Sequence, residues 1–205
     1  MTPIDKRNLI LDALEALLDE KKLQNISVSE IAERAGISKG SIYYYYPSKD
    51  AILNALIERS YKAPLETAKQ LAGQTDVPPF TRMAMLFQSC RSVSSSFIRD
   101  NRTMESATVQ EKVFIHHKYA NYMIKELKPE LTAIIRQGIA LNEIHFDDPE
   151  SLAEIVLIIL ITKLDNTLLP STDKEIENTL KGMIGLLEKG TGIPAGTLQY
   201  LSIQS

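Results

Sequence analysis

Residues 27–49 of this 205-residue chain read SVSEIAERAGISKGSIYYYYPSK. Ser27 followed three positions later by Glu30 is a capping box, which predicts a helix that begins at Val28. Gly36 predicts the end of that helix, because glycine adopts the left-handed backbone conformation without strain. A second, short helix is predicted between Ser38 as its cap and Pro47, which cannot continue it. The segment is therefore predicted to be a helix-turn-helix.

The second helix is predicted to have two unlike faces. At about 100° per residue, Ile42 and Tyr46 fall on one side, where they can pack in a core. The other side carries the small and hydroxyl-bearing residues Gly40, Ser41, Tyr43 and Tyr44. A glycine lets the backbone approach a DNA groove closely, and hydroxyl groups can reach phosphates or base edges. The alternative for four adjacent tyrosines is an aromatic plug in a small core, and we expect that role for Tyr46.

Residues 8–57 resemble the tetracycline-repressor (TetR) family of bacterial transcriptional regulators, on the motif Ala-Gly-aliphatic-Ser-Lys-Gly, an aromatic run and Pro-Ser-Lys. The resemblance implies a set of residues that face DNA: Ser29, Lys39, Gly40, Ser41, Tyr43, Tyr44, Tyr45 and Lys49. Three positions depart from the family pattern, with Tyr45 in place of a frequent His, Tyr46 in place of a frequent Phe, and Ser29 in place of a longer side chain. These departures leave the operator sequence open.

The apolar residues after this motif keep helical spacing, so the sequence predicts an all-α fold. We expect a helix-turn-helix domain at residues 1–50, a linker helix at 51–72, and a helical regulatory and dimerisation domain at 73–205. The regulatory domain is predicted to begin with a helix from Phe80 to Phe97. Further helices are predicted at about 113–127, 129–142, 149–168 and 173–189.

The helix near 149–168 is predicted to be apolar on nearly all sides, so it must be buried all round. A second copy of the chain is the simplest cover for its outer side, and a wholly internal central helix is the alternative. The family resemblance also implies a homodimer through the last two long helices. The predicted interface residues are Ile155, Ile158, Leu180, Ile184 and Leu187.

The resemblance also implies a cavity for a small-molecule effector within residues 80–145. The predicted lining combines flexible apolar side chains with a few polar ones: Met83, Phe87, Cys90, Ser94, Phe97, Phe114, His117, Asn121, Met123 and Ile134. This mixture suits a mostly apolar ligand with one or two polar groups. Each of these residues could instead be an ordinary interhelical core residue.

Composition excludes several classes of protein. With 44% hydrophobic and 24% charged residues, the chain matches ordinary globular proteins and not disordered ones. The longest apolar run, Ile155 to Ile161, is far shorter than the roughly 20 residues that cross a bilayer, so no membrane segment is expected. A single cysteine, Cys90, and no signal-peptide pattern predict a cytoplasmic protein.

No pattern for catalysis or for a cofactor is found. His116 and His117 are adjacent, so on a helix they point about 100° apart and poorly suit one metal ion. We therefore expect no enzyme, no cofactor and no metal site. The alternatives left open are a helical protein-interaction module without sequence-specific DNA binding and a metal-responsive regulator. Repression and activation are not distinguished by the sequence.

Overall fold

The computed structural model of the chain describes residues 3–88, 108–166 and 169–201. Its helices are α1 (Pro3–Glu20), α2 (Val28–Arg34), α3 (Lys39–Tyr45), α4 (Lys49–Ala72), α5 (79–88), α6 (Val109–Ala140), α7 (Pro149–Asp165) and α8 (Asp173–Thr191). Short 3-10 turns lie at Leu23–Asn25 and Gln199–Leu201. No strand occurs within these ranges, which confirms the all-α prediction.

The N-terminal helices pack on the faces that the apolar spacing predicts. Ile10 and Leu14 of α1, Ile31 of α2, Ile42 of α3 and Ile52 of α4 have no exposed surface. Burial of such a side chain contributes about 1.5–3 kcal/mol. One small core therefore fixes α3 relative to its neighbours.

The predicted start and stop signals are confirmed in this module. The Ser27 hydroxyl accepts a hydrogen bond from the Glu30 amide at 3.2 Å, and the Glu30 carboxylate accepts one from the Ser27 amide at 2.8 Å. Gly36 has a φ of 65°, in the left-handed region. The Ser38 hydroxyl accepts from the Ser41 amide at 3.2 Å, so it caps α3 as predicted. These local bonds set the turn between α2 and α3.

Residues 109–140 form a single helix, and the prediction of two helices meeting before Pro129 is wrong. A proline inside a helix removes one backbone hydrogen bond and costs about 3 kcal/mol or more. Leu127 and Leu131, on either side of Pro129, both have no exposed surface. Burial of these two side chains offsets the cost, since each contributes about 1.5–3 kcal/mol.

The last two helices begin where predicted and end at other residues. The Asp148 carboxylate accepts from the amides of Glu150 and Ser151 at 3.1 Å and caps α7. α7 ends at Asp165 and not near 168, because Asn166 adopts a left-handed φ of 55°. α8 continues past Lys189-Gly190 to Thr191, and Gly192, with a φ of 72°, ends it.

The described residues divide into two compact units. The first contains the chain up to residue 62 together with residues 108–118, and the second contains residues 63–88 and 119–201. These bounds differ from the predicted domains 1–50, 51–72 and 73–205. The difference arises because the first turns of α6 pack with the N-terminal helices, as the ion pair between Lys118 and Asp50 at 2.8 Å illustrates.

Within the described ranges, no helix combines the length and the apolar character needed to cross a lipid bilayer.

Candidate nucleic-acid interface

One side of α3 carries hydroxyl-bearing side chains toward solvent, and its other side is buried. Ile42 has no exposed surface, and Tyr46, just after the helix, is 7% exposed, as expected for the aromatic plug. Tyr44 is 82% exposed and Tyr43 is 48% exposed. These two adjacent aromatic side chains are therefore both accessible to a partner outside the chain.

The Ser41 hydroxyl is positioned by its neighbour. The Ser38 hydroxyl donates to the Ser41 hydroxyl oxygen at 3.0 Å. A serine hydroxyl has one proton to donate and can accept as well, so Ser41 keeps its own proton for an outside acceptor. Ser41 can therefore donate a hydrogen bond to a phosphate or a base edge.

Gly40 is exposed at the start of α3, and nothing in the protein requires a glycine there. A Cβ at this position would meet only the Ser38 hydroxyl oxygen, at 4.0 Å. Its backbone also lies outside the left-handed region that favours glycine. The absence of a side chain therefore suits the approach of something outside the chain.

Tyr45 is half-buried and shares its surroundings with Arg7 of α1. Its ring meets the ring of Tyr44 edge-on, with centroids 5.0 Å apart. The Arg7 guanidinium lies 5.8 Å from the ring centroids of both Tyr45 and Tyr46. Arg7 is not among the residues predicted from sequence to face DNA. The available signal was a basic residue at the start of α1, next to Lys6.

Lys49, which the family resemblance places against DNA, has partners within the chain. Its ammonium donates to the carbonyl oxygens of Leu23 at 2.8 Å and Ile26 at 2.7 Å. Lys49 is half-buried, and these bonds hold the 3-10 turn that precedes α2. Two of its three donors are thus used inside the protein.

The remaining predicted residues, Ser29 and Lys39, are both exposed. Ser29 lies in the first turn of α2, and Lys39 is the first residue of α3. Both are therefore accessible to a partner of this unit.

The carboxylate at the start of α2 is neutralised by a neighbour. The pKa of Glu30 is lowered to about 2, chiefly by the hydrogen bond from Lys21 and then by the Ser27 amide and hydroxyl. Glu20 is likewise paired, with Arg34 at 2.7 Å. Local pairing therefore limits the repulsion that the carboxylates of Glu20 and Glu30 would exert on a phosphate backbone.

The seven predicted effector residues that the structure describes divide between the two units. Four are buried in the second unit: Met83, Phe87, Met123 and Ile134. Asn121 is exposed in the second unit, whereas Phe114 and His117 are exposed in the first. Cys90, Ser94 and Phe97 lie outside the described residues.

A cavity of about 20 Å³ in the second unit includes Met83 in its lining. That volume holds about one water molecule. This cavity is therefore too small for an effector.

The predicted dimer residues divide into two groups. Ile155 and Ile158 of α7 are 51% and 45% exposed. Leu180 and Ile184 of α8 are buried within their own chain at 0% and 8% exposure, so both belong to the intramolecular core. Leu187 is half-buried and lines the small cavity of the second unit.

The outward face of α8 consists of other residues. Leu186 is 76% exposed. A Cβ added at Gly182 or at Gly185 would meet nothing within 4 Å. Space is therefore open beside α8 at Gly182 and Gly185, and Leu186 is exposed on the same helix.

The three histidines do not form a metal centre with their neighbours in the described part of the chain. There, no group of three or more His, Cys, Asp or Glu side chains is arranged to hold a metal ion. His116 is buried and His117 is exposed, as their adjacent positions on a helix predict.

The model of the family "Bacterial regulatory proteins, tetR family" matches residues 10–56. The HTH-type transcriptional regulator EthR of Mycobacterium tuberculosis is 44% identical over 55 residues, which cover 27% of this chain and 26% of EthR. The chain thus matches about a quarter of the length of this relative.

Solved structures are similar over almost the whole chain. RolR in complex with resorcinol has a TM-score of 0.62 at 18% identity, with 97% of this chain and 94% of RolR covered. SmeT, the repressor of the Stenotrophomonas maltophilia multidrug efflux pump SmeDEF, has a TM-score of 0.57 at 19% identity, with 94% of each chain covered. At these identities the similarity shows a shared fold. The tetR family of bacterial regulatory proteins is thus matched by residues 10–56 of this chain, and the fold of the chain is shared with these solved structures.

Proposed function

We propose that this protein is a transcriptional repressor that binds a palindromic DNA operator as a homodimer and is released by a small-molecule effector. The observation that carries the proposal is the outward face of α3. Gly40, Ser41 and the exposed Tyr44 lie on this face, whereas Ile42 of the same helix is buried. The family match and the regulators EthR and SmeT support it.

In the proposed complex α3 lies in the major groove. Gly40 permits close approach of the helix, and Ser41, Tyr43 and Tyr44 supply hydroxyl groups for base edges or phosphates. The exposed Lys39 and the guanidinium of Arg7 contact phosphates beside the groove. Ser29 contacts the backbone from α2, Lys49 orders the turn before α2, and the half-buried Tyr45 supports Tyr44.

The homodimer is proposed to form through the outward faces of α7 and α8. Ile155 and Ile158 expose about half of their surface, and Leu186 exposes 76%. Gly182 and Gly185 carry no side chain, so the partner's helix can approach α8 closely. Exposed apolar side chains on both helices suit a self-complementary interface with two-fold symmetry.

The effector is proposed to bind among the regulatory helices, near the buried Met83, Phe87, Met123 and Ile134. The cavity of about 20 Å³ beside Met83 would have to widen to admit the effector, and its apolar lining suits a mostly apolar compound with one or two polar groups. RolR, which shares the fold, was crystallised with resorcinol. Such a compound releases DNA only if it binds more tightly to the form that does not fit the operator. Compounds that raise the melting temperature should therefore weaken operator binding over the same concentration range. If no compound that raises the melting temperature also weakened operator binding, this mechanism would be contradicted.

The central test is a selection of genomic fragments with the purified protein, followed by fluorescence anisotropy at several salt concentrations. We expect enrichment of palindromes with half-sites about one helical turn or somewhat more apart, and affinity that falls as salt rises. Binding without enrichment, at one affinity for all fragments, would contradict an operator. No binding to duplex DNA would favour a protein-interaction module instead.

A further inference from the structure

We infer that the first unit contains a second small-molecule site, which binds an uncharged aromatic compound bearing an amide or hydroxyl group. The site is a pocket of about 320 Å³, which we call the N-terminal pocket. Its lining includes the apolar residues Leu23, Leu53 and Phe114 and the exposed residues Gln24 and Gln110. Every lining residue belongs to the first unit.

The size of the N-terminal pocket suits a small ligand. Binding pockets for small molecules occupy about 300–1,000 Å³, so a volume of about 320 Å³ accommodates a compound with one or two rings. The cavity described above in the second unit has only about 20 Å³. None of the residues that line the N-terminal pocket is among those near which the effector is proposed to bind, and Phe114 alone also belongs to the effector lining predicted from sequence.

The carboxylate of Glu111 in the pocket wall is already fully engaged. Glu111 is 8% exposed. It accepts hydrogen bonds from the backbone amide of Gln24 and from the backbone amide and the hydroxyl of Thr108, each at 2.9 Å. Burial acts to raise its pKa, but these donors outweigh burial and the pKa is lowered. Glu111 is therefore an ionised carboxylate whose charge is satisfied within the protein.

The other charged groups of the wall are engaged as well. The Lys49 ammonium donates to the carbonyl oxygens of Leu23 and Ile26. Asp50 forms an ion pair with Lys118 at 2.8 Å. A charged ligand would have to compete with these contacts or lose its hydration without a counter-ion, which is unfavourable. An uncharged ligand avoids both costs.

Phe114 supplies the driving force for an aromatic ligand. It is 43% exposed although it lies on the same helix as the buried Ile115. The Lys118 ammonium lies 4.8 Å from the centroid of the Phe114 ring. Ring-on-ring contacts with Phe114 would cover its exposed surface and add to the burial of the ligand itself. The lining residues Gln24 and Gln110 each carry a carboxamide, a group that can both donate to and accept from an amide or hydroxyl group of the ligand.

An occupant of this pocket would touch the structure that holds the helix-turn-helix in place. Leu23 and Gln24 belong to the 3-10 turn before α2, and Lys49 and Glu111 bind that turn from α4 and α6. A ligand in the pocket is therefore expected to stabilise the turn. Binding itself requires neither DNA nor a second chain, so this inference goes beyond the proposed function.

The test compares three compounds of one shape: benzamide, which is uncharged, benzoate, which is negative, and benzamidine, which is positive. Each is titrated into the full-length ¹⁵N-labelled protein without DNA. We expect benzamide to bind with a dissociation constant on the order of 1 mM, a value typical of a ligand of this size. Amide signals of Gln24, Leu53, Gln110 and Phe114 should shift, and both charged compounds should bind about tenfold more weakly.

Variants locate the site. Gln110→Trp should fill the pocket and weaken benzamide binding at least about tenfold, whereas Val109→Trp, at a neighbouring exposed position that does not line the pocket, should leave it unchanged. Phe114→Ala should also weaken binding, and its amide spectrum shows whether the fold is kept. The inference would be overturned by any of three results. These are benzamide binding to Gln110→Trp that is as tight as to the parent, shifts only in the amide signals of other residues, and equal binding of all three compounds. None of these outcomes depends on whether the protein binds DNA.

Discussion

The ammonium of Lys49, the first residue of α4, lies 2.7 Å from the carbonyl oxygen of Ile26, just before the cap of α2. A lysine at the position that the family resemblance places against DNA thus binds the protein's own backbone. This bond joins the entry to the helix-turn-helix to the helix that follows it. Its loss should disturb DNA binding through the shape of the protein as well as through charge.

Lys49→Ala should therefore lower both stability and DNA affinity. Hydrogen bonds from a charged donor contribute about 1.5–3 kcal/mol, and we expect a loss toward the lower end, because Lys49 is only half-buried. Urea unfolding measures the free energy of unfolding of the variant. Fluorescence anisotropy should show that the variant binds specific and random DNA more weakly than the parent does. The matched variant is Lys39→Ala, at an exposed lysine. This variant should be as stable as the parent, and the slope of log binding constant against log salt concentration should decrease in magnitude by about one. A Lys49→Ala protein as stable as the parent would contradict this role.

Gly40→Ala should separate folding from DNA binding. The added Cβ meets only the Ser38 hydroxyl oxygen at 4.0 Å, and alanine favours a helix over glycine by up to about 1 kcal/mol. We expect equal or greater thermal stability together with weaker operator binding, because the methyl group would lie between α3 and the groove. Calorimetry measures the thermal stability and fluorescence anisotropy measures the operator affinity, both on one preparation of the variant. Undiminished operator affinity would show that α3 does not approach DNA at Gly40.

Two tyrosines of one run should respond in opposite ways. Tyr44→Ala, at a position 82% exposed, should leave stability unchanged and cost on the order of 1–3 kcal/mol on the operator, with less loss on random DNA. Tyr46→Ala, at a position 7% exposed, should cost about 3–5 kcal/mol of stability, as for a large buried side chain. Ser41→Ala should behave like Tyr44→Ala. Equal losses on specific and random DNA for Ser41 and Tyr44 variants would argue against base contacts.

Charge on the outward face of α7 should break the proposed dimer. Ile158 is 45% exposed in the single chain, so Ile158→Asp should give a folded monomer of 22.9 kDa in sedimentation analysis. Leu186→Asp on α8 should act in the same way. Leu180→Asp should instead unfold the chain, since Leu180 has no exposed surface and a buried unpaired charge is strongly disfavoured. A parent protein that sediments as a monomer at micromolar concentration would contradict the dimer.

Acid should weaken the cap of α2 over a defined pH range. The pKa of Glu30 is lowered to about 2 in the folded chain, below the value of about 4.3 expected when unfolded. A lowered pKa adds stability that is fully present above the unfolded value and is lost as the pH falls toward the folded value. Glu30→Gln should therefore be less stable than the parent near neutral pH, and this difference should shrink between about pH 5 and pH 2. Urea unfolding across this range measures it, and a constant difference would argue against the pairing with Lys21.

Interactions within a few residues made much of the fold predictable from sequence. Ser27 and Glu30 bond to each other, Ser38 caps α3, and Gly36 takes the left-handed conformation at the predicted turn. The spacing of Ile42 and Tyr46 likewise separated the buried side of α3 from its exposed side. Caps, turns and helical periodicity are local, so they can be recognised without the rest of the chain.

Contacts between distant residues decided the remainder. The sequence could not show that Lys49 binds Leu23 and Ile26, or that Glu111 accepts from the amide of Gln24, 87 positions away. Nor could it show which apolar residues of α8 face inward. Leu180 and Leu186 have the same chemistry, but Leu180 is fully buried and Leu186 is 76% exposed. Whether a side chain of given chemistry is covered depends on the packing of whole helices, and only the tertiary structure fixes that packing.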